Sequence, residues 1–158
     1  MLIVSDTSPI TNLIRIGELE LLQKLFGQVI IPQKVYDELA YYERQQEELD
    51  REAWVVVRTV TNLEKIEELN EVLDEGEAEA IVLAEELNAD FLIIDERKGR
   101  KVAEDYGLRI VGLLGILIQA KQKGYIRELK PILDRLINEI GFRVSRQLYN
   151  GILSRVGE

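Results

Sequence analysis

Short apolar runs alternate along this chain with stretches whose apolar positions recur at helical spacing, and no other feature constrains the fold as tightly. Leu2-Ile3-Val4-Ser5 ends at Asp6, and Val29-Ile30-Ile31 stops at Pro32. Trp54-Val55-Val56-Val57 is aromatic and β-branched, the composition strands favour. Phe91-Leu92-Ile93-Ile94 is almost continuously apolar and ends at Asp95, the pattern of a central parallel strand covered on both faces. Leu108–Val111 predicts a fifth strand.

Helices fill the intervals. Ser8-Pro9 predicts an N-cap followed by proline at the first helical position. That helix runs through Ile10, Leu13, Ile14 and Ile16, and Gly17 closes it. Leu19, Leu21, Leu22, Leu25 and Phe26 predict a second short helix before Gly27. A third starts at Pro32, passes Val35, Leu39 and Ala40, and continues into the polar stretch Glu43–Glu52. Asn62 caps an acidic helix to about Leu73, and Glu77–Leu87 carries Ala80, Ile81, Ala84 and Leu87 on one face. Arg97–Tyr106 is a basic helix and Leu113–Lys123 an amphipathic one ended by Gly124. Leu129–Ile140 and Val144–Val156 form a helical tail over about 127–158. Alternation of this kind predicts an α/β domain with a mostly parallel sheet. With 158 residues and no repeat or linker, one domain over 1–158 is expected.

Composition narrows the chemistry. Twenty basic against twenty-nine acidic side chains give a net charge of −9, which argues against non-specific coating of nucleic acid or anionic membrane. A local basic patch is still compatible with that total. Without Cys there is no disulfide, thiolate metal site or cysteine nucleophile. Without His there is no imidazole base, His-ligated metal or Ser-His-Asp triad. Catalysis, if present, rests on carboxylates, Lys, Tyr or hydroxyls, with a hard oxygen-bound metal as the natural helper. No apolar run is long enough to span a bilayer, and the N-terminus lacks a basic signal-peptide region, so a cytoplasmic protein is expected. One Met, one Trp and many Glu, Lys, Arg, Ile, Leu and Val would suit a thermophile.

In open parallel sheets ligands bind beyond the carboxyl ends of the strands. Asp6 and Asp95 both stand at such ends. An acid after a strand is often only an N-cap or loop residue, but two in one sheet point to a shared edge. Glu38 lies two turns into the helix after the second strand, where the plain reading is a solvated charge beside Asp37. Glu77 opens the GEAEAIVLA segment after Gly76, where a first-turn acid commonly complements the helix dipole. Ala78, Ala80 and Ala84 would let that helix pack close to the sheet and hold Glu77 centrally, with Glu79 pointing elsewhere. Carboxylates sharing one pocket repel each other, and Mg²⁺ or Mn²⁺ with oxygen ligands relieves this while serving phosphoryl chemistry.

Arg97-Lys98-Gly99-Arg100-Lys101 follows Asp95 directly. Its plain reading is a solvated face pairing with the acidic segment Glu64–Glu79. Its functional reading is a phosphate clamp, with Lys98 and Arg100 the nucleic-acid-binding candidates. Arg143, Arg146 and Arg155 on the tail are further candidates. Tyr41-Tyr42 and the following polar run suggest an extended helix or arm.

Asp6-Thr7-Ser8-Pro9 after the first strand, Glu38 closing PQKVYDE, GEAEAIVLA, and IIDERKGRKVAEDYGLRIVGLLGIL together resemble the PIN-domain family. Within it they look similar to the bacterial and archaeal branch related to VapC-type toxins, over roughly Met1 to Gly124. The resemblance implies a three-layer α/β/α sandwich with a central, mostly parallel sheet of four to five strands. It implies a carboxylate pocket binding Mg²⁺ or Mn²⁺ and endonucleolytic cleavage of RNA by metal-activated water. Asp6 matches the family's first acid, Glu38 the second, Glu77 the third, where many members carry Asp, and Asp95 the fourth. Ser8 matches the hydroxyl residue supporting the first acid, and Glu96 is an auxiliary outer ligand. By the same analogy the early helices form a homodimer face and a groove for a small antitoxin protein.

Other readings compete. A receiver-like domain would want paired acids after the first strand, where Asp6-Thr7-Ser8 offers one. A haloacid-type phosphatase needs a second Asp at the position of Ser8. No GxGxxG or GxxxxGK[ST] is present, which removes dinucleotide and P-loop readings. A catalytically weak PIN-like module that binds RNA or a partner protein is the remaining alternative.

Overall fold

A computed structural model describes residues 1–158. Five strands, β1 (Ile3–Ser5), β2 (Val29–Pro32), β3 (Val55–Arg58), β4 (Phe91–Ile93) and β5 (Ile110–Val111), form one sheet in the order β3-β2-β1-β4-β5. Every pairing is parallel. Successive strand residues point to opposite faces, and here both faces are dry. Ile3, Val29, Ile31 and Ile93 enter one apolar core, while Val4, Ile30, Leu92 and Ile94 enter a second. Two cores, one on each side of a sheet, define a three-layer α/β/α sandwich.

The first core is covered by α1 (Thr7–Arg15), α2 (Glu20–Phe26), α3 (Gln33–Ala40), α4 (Glu43–Asp50) and the C-terminal helices. Those are α8 (Leu113–Gln122), α9 (Lys130–Arg135), which runs on through a π-turn at Leu136–Ile140, and α10 (Arg146–Arg155). The second core is covered by α5 (Leu63–Asn70), α6 (Glu75–Glu86) and α7 (Arg97–Asp105). Helix α6 is buried almost all round, from Gly76 to Ala78 and from Ala80 to Ala84. It packs on the sheet and is flanked by α3, α5 and α7. Its small residues make that close packing possible. No helix is long and apolar enough to cross a membrane.

Several local expectations are corrected. Helix α1 starts one residue before Ser8, with Asp6 at the N-cap position, because the chain turns immediately after β1. The third helix does not continue into the polar stretch. It breaks at Tyr41-Tyr42, and α4 folds back to bury Gln45 and Leu49, so the polar run is no protruding arm. Tyr36 Oη donates to Asp50 Oδ1 at 2.9 Å across that fold-back. Helix α6 begins at Glu75, two residues earlier than expected, since Asp74 caps it. Asn62 caps α5 as expected, its side chain accepting from the Lys65 amide.

Candidate functional site

Strands β1, β2 and β3 progress to one side of the sheet, and β4 and β5 to the other. The order therefore reverses between β1 and β4, and in open parallel sheets ligands bind in the crevice at that switch point. Ser5 pairs with Ile93 at the ends of the two strands, and the Asp6 amide donates to the Ile93 carbonyl at 2.9 Å. Asp6 and Asp95 consequently flank the crevice.

Asp6 is only 5% exposed, and its side chain makes no capping bond to α1. Burial pushes its carboxyl up to about 7, and the charges of Asp74, Glu38 and Asp95 add to the effect. Asp95 Oδ1 accepts from the Leu113 amide at 2.9 Å, while Oδ2 is buried with no hydrogen-bond partner. Burial raises the Asp95 pKa, and the Leu113 amide and the Arg100 charge partly offset this. Gly112 makes room for both side chains: a Cβ there would lie 2.7 Å from Asp95 Oδ1 and 2.6 Å from Arg100 Nη1.

Glu38 reaches the same cluster from α3. The Thr7 hydroxyl donates to its Oε2, and its carboxylate rests on Gly76, where a Cβ would come within 2.6 Å. Its pKa is raised, first by burial and then by Asp74. Glu77 is the third residue of α6. It forms a capping box with Asp74, whose Oδ1 accepts from the Glu77 amide at 2.8 Å. Glu77 Oε2 is buried without a partner and lies where a Cβ on Gly99 would be 2.5 Å away. Burial drives its pKa well above the carboxylate range, and the adjoining carboxyls of Asp74 and Glu96 push the same way.

The structure thus brings Asp6, Glu38, Glu77 and Asp95 into one electrostatically coupled group, with Glu96 at its margin. Glu96 is exposed and caps α7 by accepting from the Gly99 amide at 2.9 Å, which holds its pKa low. Ser8 is exposed, and its side chain makes no hydrogen bond; the hydroxyl that touches an acid is that of Thr7. Asp74 escaped sequence reasoning, although an acid three residues before Glu77 is a capping-box pattern. Glu79 faces elsewhere, accepting from the Lys34 amide at 3.2 Å.

Lys98 is exposed and Arg100 half-buried beside Asp95, and none of Arg97, Lys98, Arg100 and Lys101 forms an ion pair. The acidic segment pairs instead with Lys34, through Glu75 at 2.6 Å. Asp95, Glu96, Lys98 and Arg100 line an open cavity of about 740 Å³. On the far side of Arg100, Gly112, Phe142 and Arg143 line another of about 510 Å³.

Buried acids with raised pKa values and two carboxylate oxygens lacking any partner form a donor set suited to a hard divalent cation. No three acidic side chains converge into a ready-made metal cage. An ion held by only one or two of these carboxylates at a time would complete its shell with water, as Mg²⁺ does.

An all-parallel α/β/α sandwich with carboxylates gathered at its switch point is a PIN-like architecture. The model of the DUF3368 family, a PIN domain, matches residues 2–158, and the chain belongs to that family. PIN domains are usually nucleases, and such nucleases typically use divalent metals. No curated protein matches the chain in sequence.

Proposed function

We propose that this protein is a Mg²⁺- or Mn²⁺-dependent endoribonuclease, the toxin-like member of a toxin–antitoxin pair. The observation that carries the reading is the meeting of Asp6 and Asp95 at the β1/β4 switch point, beside two buried carboxylate oxygens without partners. Asp6, Glu38, Glu77 and Asp95 would hold the ion, with Glu96 as an outer ligand. When bound, the ion supplies positive charge that stabilises the phosphoryl centre and lowers the pKa of an attacking water. Thr7 and Gly76 orient Glu38, and the Asp74 amide and Gly99 position Glu77. Lys98 and Arg100, free of ion pairs, would hold the RNA backbone beside Asp95. The whole chain acts as one domain in this reading. A homodimer and a small antitoxin partner in the cytoplasm rest on family resemblance alone.

Calorimetric titration with Mn²⁺ tests this before any substrate is known. Saturable binding that is lost in both Asp6→Asn and Asp95→Asn is expected, followed by RNA cleavage that Asp95→Asn abolishes. Binding indifferent to these residues would remove the metal site. The lack of a ready-made cage favours one second reading, a catalytically weak module that binds RNA. Intact RNA at saturating Mn²⁺ would select it.

A further inference from the structure

A groove of about 700 Å³ lies between α1 and α4, lined by Thr11, Arg15, Tyr42, Arg44, Gln45 and Glu48. It begins next to the acids. Thr11 is one helical turn beyond Thr7, about 6 Å along α1. Tyr42 stands four residues beyond Glu38, at the N-cap of α4. Thr7 in turn donates to Glu38, so the groove begins one turn of α1 from the acid cluster.

Its chemistry suits a nucleic-acid strand. Tyr41 and Tyr42 are 81% and 60% exposed, and their rings meet edge to face at 5.1 Å. Such a pair leaves ring faces open to a stacking partner. Arg15 and Arg44 form no ion pair, although the protein carries a net charge of −9 and Glu48 lines the same groove. Gln45 is nine-tenths buried, yet its one hydrogen bond is as acceptor from Thr11 at 3.4 Å. Its amide nitrogen has no partner within the chain and opens onto the groove, where it is free to donate to a ligand.

We propose that this groove binds the single-stranded RNA flanking the scissile phosphate. A base stacks on Tyr42, Arg15 and Arg44 hold phosphates, and the Gln45 amide donates to a base edge or phosphate. Open ring faces select unpaired bases, because bases within a duplex are already stacked. The inference rests on the nuclease reading for its substrate, but on different residues.

The test uses the full chain carrying Asp95→Asn, which is expected not to cleave, with a fluorescein-labelled single-stranded RNA of mixed sequence followed by anisotropy. Tyr42→Ala and Arg44→Ala should each weaken binding about tenfold, Tyr42→Phe should restore it, and the duplexed probe should bind less tightly. Both positions are exposed, so the fold tolerates these changes. Unchanged affinity in Tyr42→Ala and Arg44→Ala, or no binding of the probe at all, would overturn the proposal. So would a loss of self-association without a loss of RNA affinity, which would make the groove an interface between copies. Cleavage by the parent chain with an unaltered KM in Tyr42→Ala would sink the groove and leave the nuclease. Binding through Tyr42 without cleavage would do the reverse.

Discussion

The carboxylate of Glu38 on α3 rests against the backbone of Gly76 on α6, so closely that a Cβ at Gly76 would lie 2.6 Å from Oε2. An alanine there improves helix propensity by up to about 1 kcal/mol while displacing a flexible side-chain end. Gly76→Ala is therefore expected to fold at least as stably as the parent and to bind Mn²⁺ about 10–100-fold more weakly. Thermal unfolding and calorimetry on the same sample check the two halves separately.

Thr7 and Ser8 offer a sharper contrast. Only Thr7 donates to Glu38, and that bond lowers the Glu38 pKa. Thr7→Val should weaken Mn²⁺ binding about tenfold and move its onset to higher pH. Ser8→Ala, at an exposed position, should change neither. A large effect of Ser8→Ala with none from Thr7→Val would contradict the geometry.

Metal-free stability should fall as pH rises. The Asp6 carboxyl is raised from 3.8 to about 7, so the folded state retains a proton that the unfolded chain has released. The stabilisation from that proton is complete below about pH 4 and is lost as pH climbs through about 7. The slope approaches about 1.4 kcal/mol per pH unit. Glu77, also raised, extends the loss to more alkaline pH. Mn²⁺ affinity should rise over the same window, because binding requires these protons to leave. Urea unfolding with and without Mn²⁺ at about pH 5 and about pH 8 measures both trends.

Removing the buried charge should stabilise the empty site. Asp6→Asn is expected to raise metal-free stability at about pH 8 by about 1–4 kcal/mol and to flatten its pH dependence. Mn²⁺ should no longer stabilise this variant. Chemical denaturation midpoints report both effects, and a destabilised Asp6→Asn would mean that the carboxylate has a structural partner.

Lys98 and Arg100 should separate by mechanism. Lys98→Ala is expected to weaken RNA binding uniformly and reduce the salt slope of log K by about 0.7. Arg100→Ala should do the same and also raise the Asp95 pKa, since the guanidinium holds it down. Binding titrations across salt and pH distinguish the two.

The strands, most helix spans and the two aspartates at strand ends were legible because they depend on near neighbours. Apolar runs such as Phe91–Ile94 bury themselves whatever surrounds them, and a turn residue ends a helix locally. Asp74 was legible in principle, as the acid three residues before Glu77, but a capping pattern gives no hint that its charge reaches Asp6 and Glu38. The break at Tyr41-Tyr42 was not legible, since the polar run beyond it has good helix formers. Burial of Leu49 against the core and the Tyr36–Asp50 hydrogen bond, both tertiary, hold α4 folded back.

By itself, then, the sequence determined an α/β chain with acids after its first and fourth strands and a basic helix behind the second of these. The tertiary structure alone decided that β1 lies beside β4, because strand order is set by how the crossovers pack and not by any local pattern. It also decided which small residues matter. Gly76 admits Glu38 and Gly99 admits Glu77 across gaps of many residues, and such approaches exist only once α6 is packed between α3 and α7.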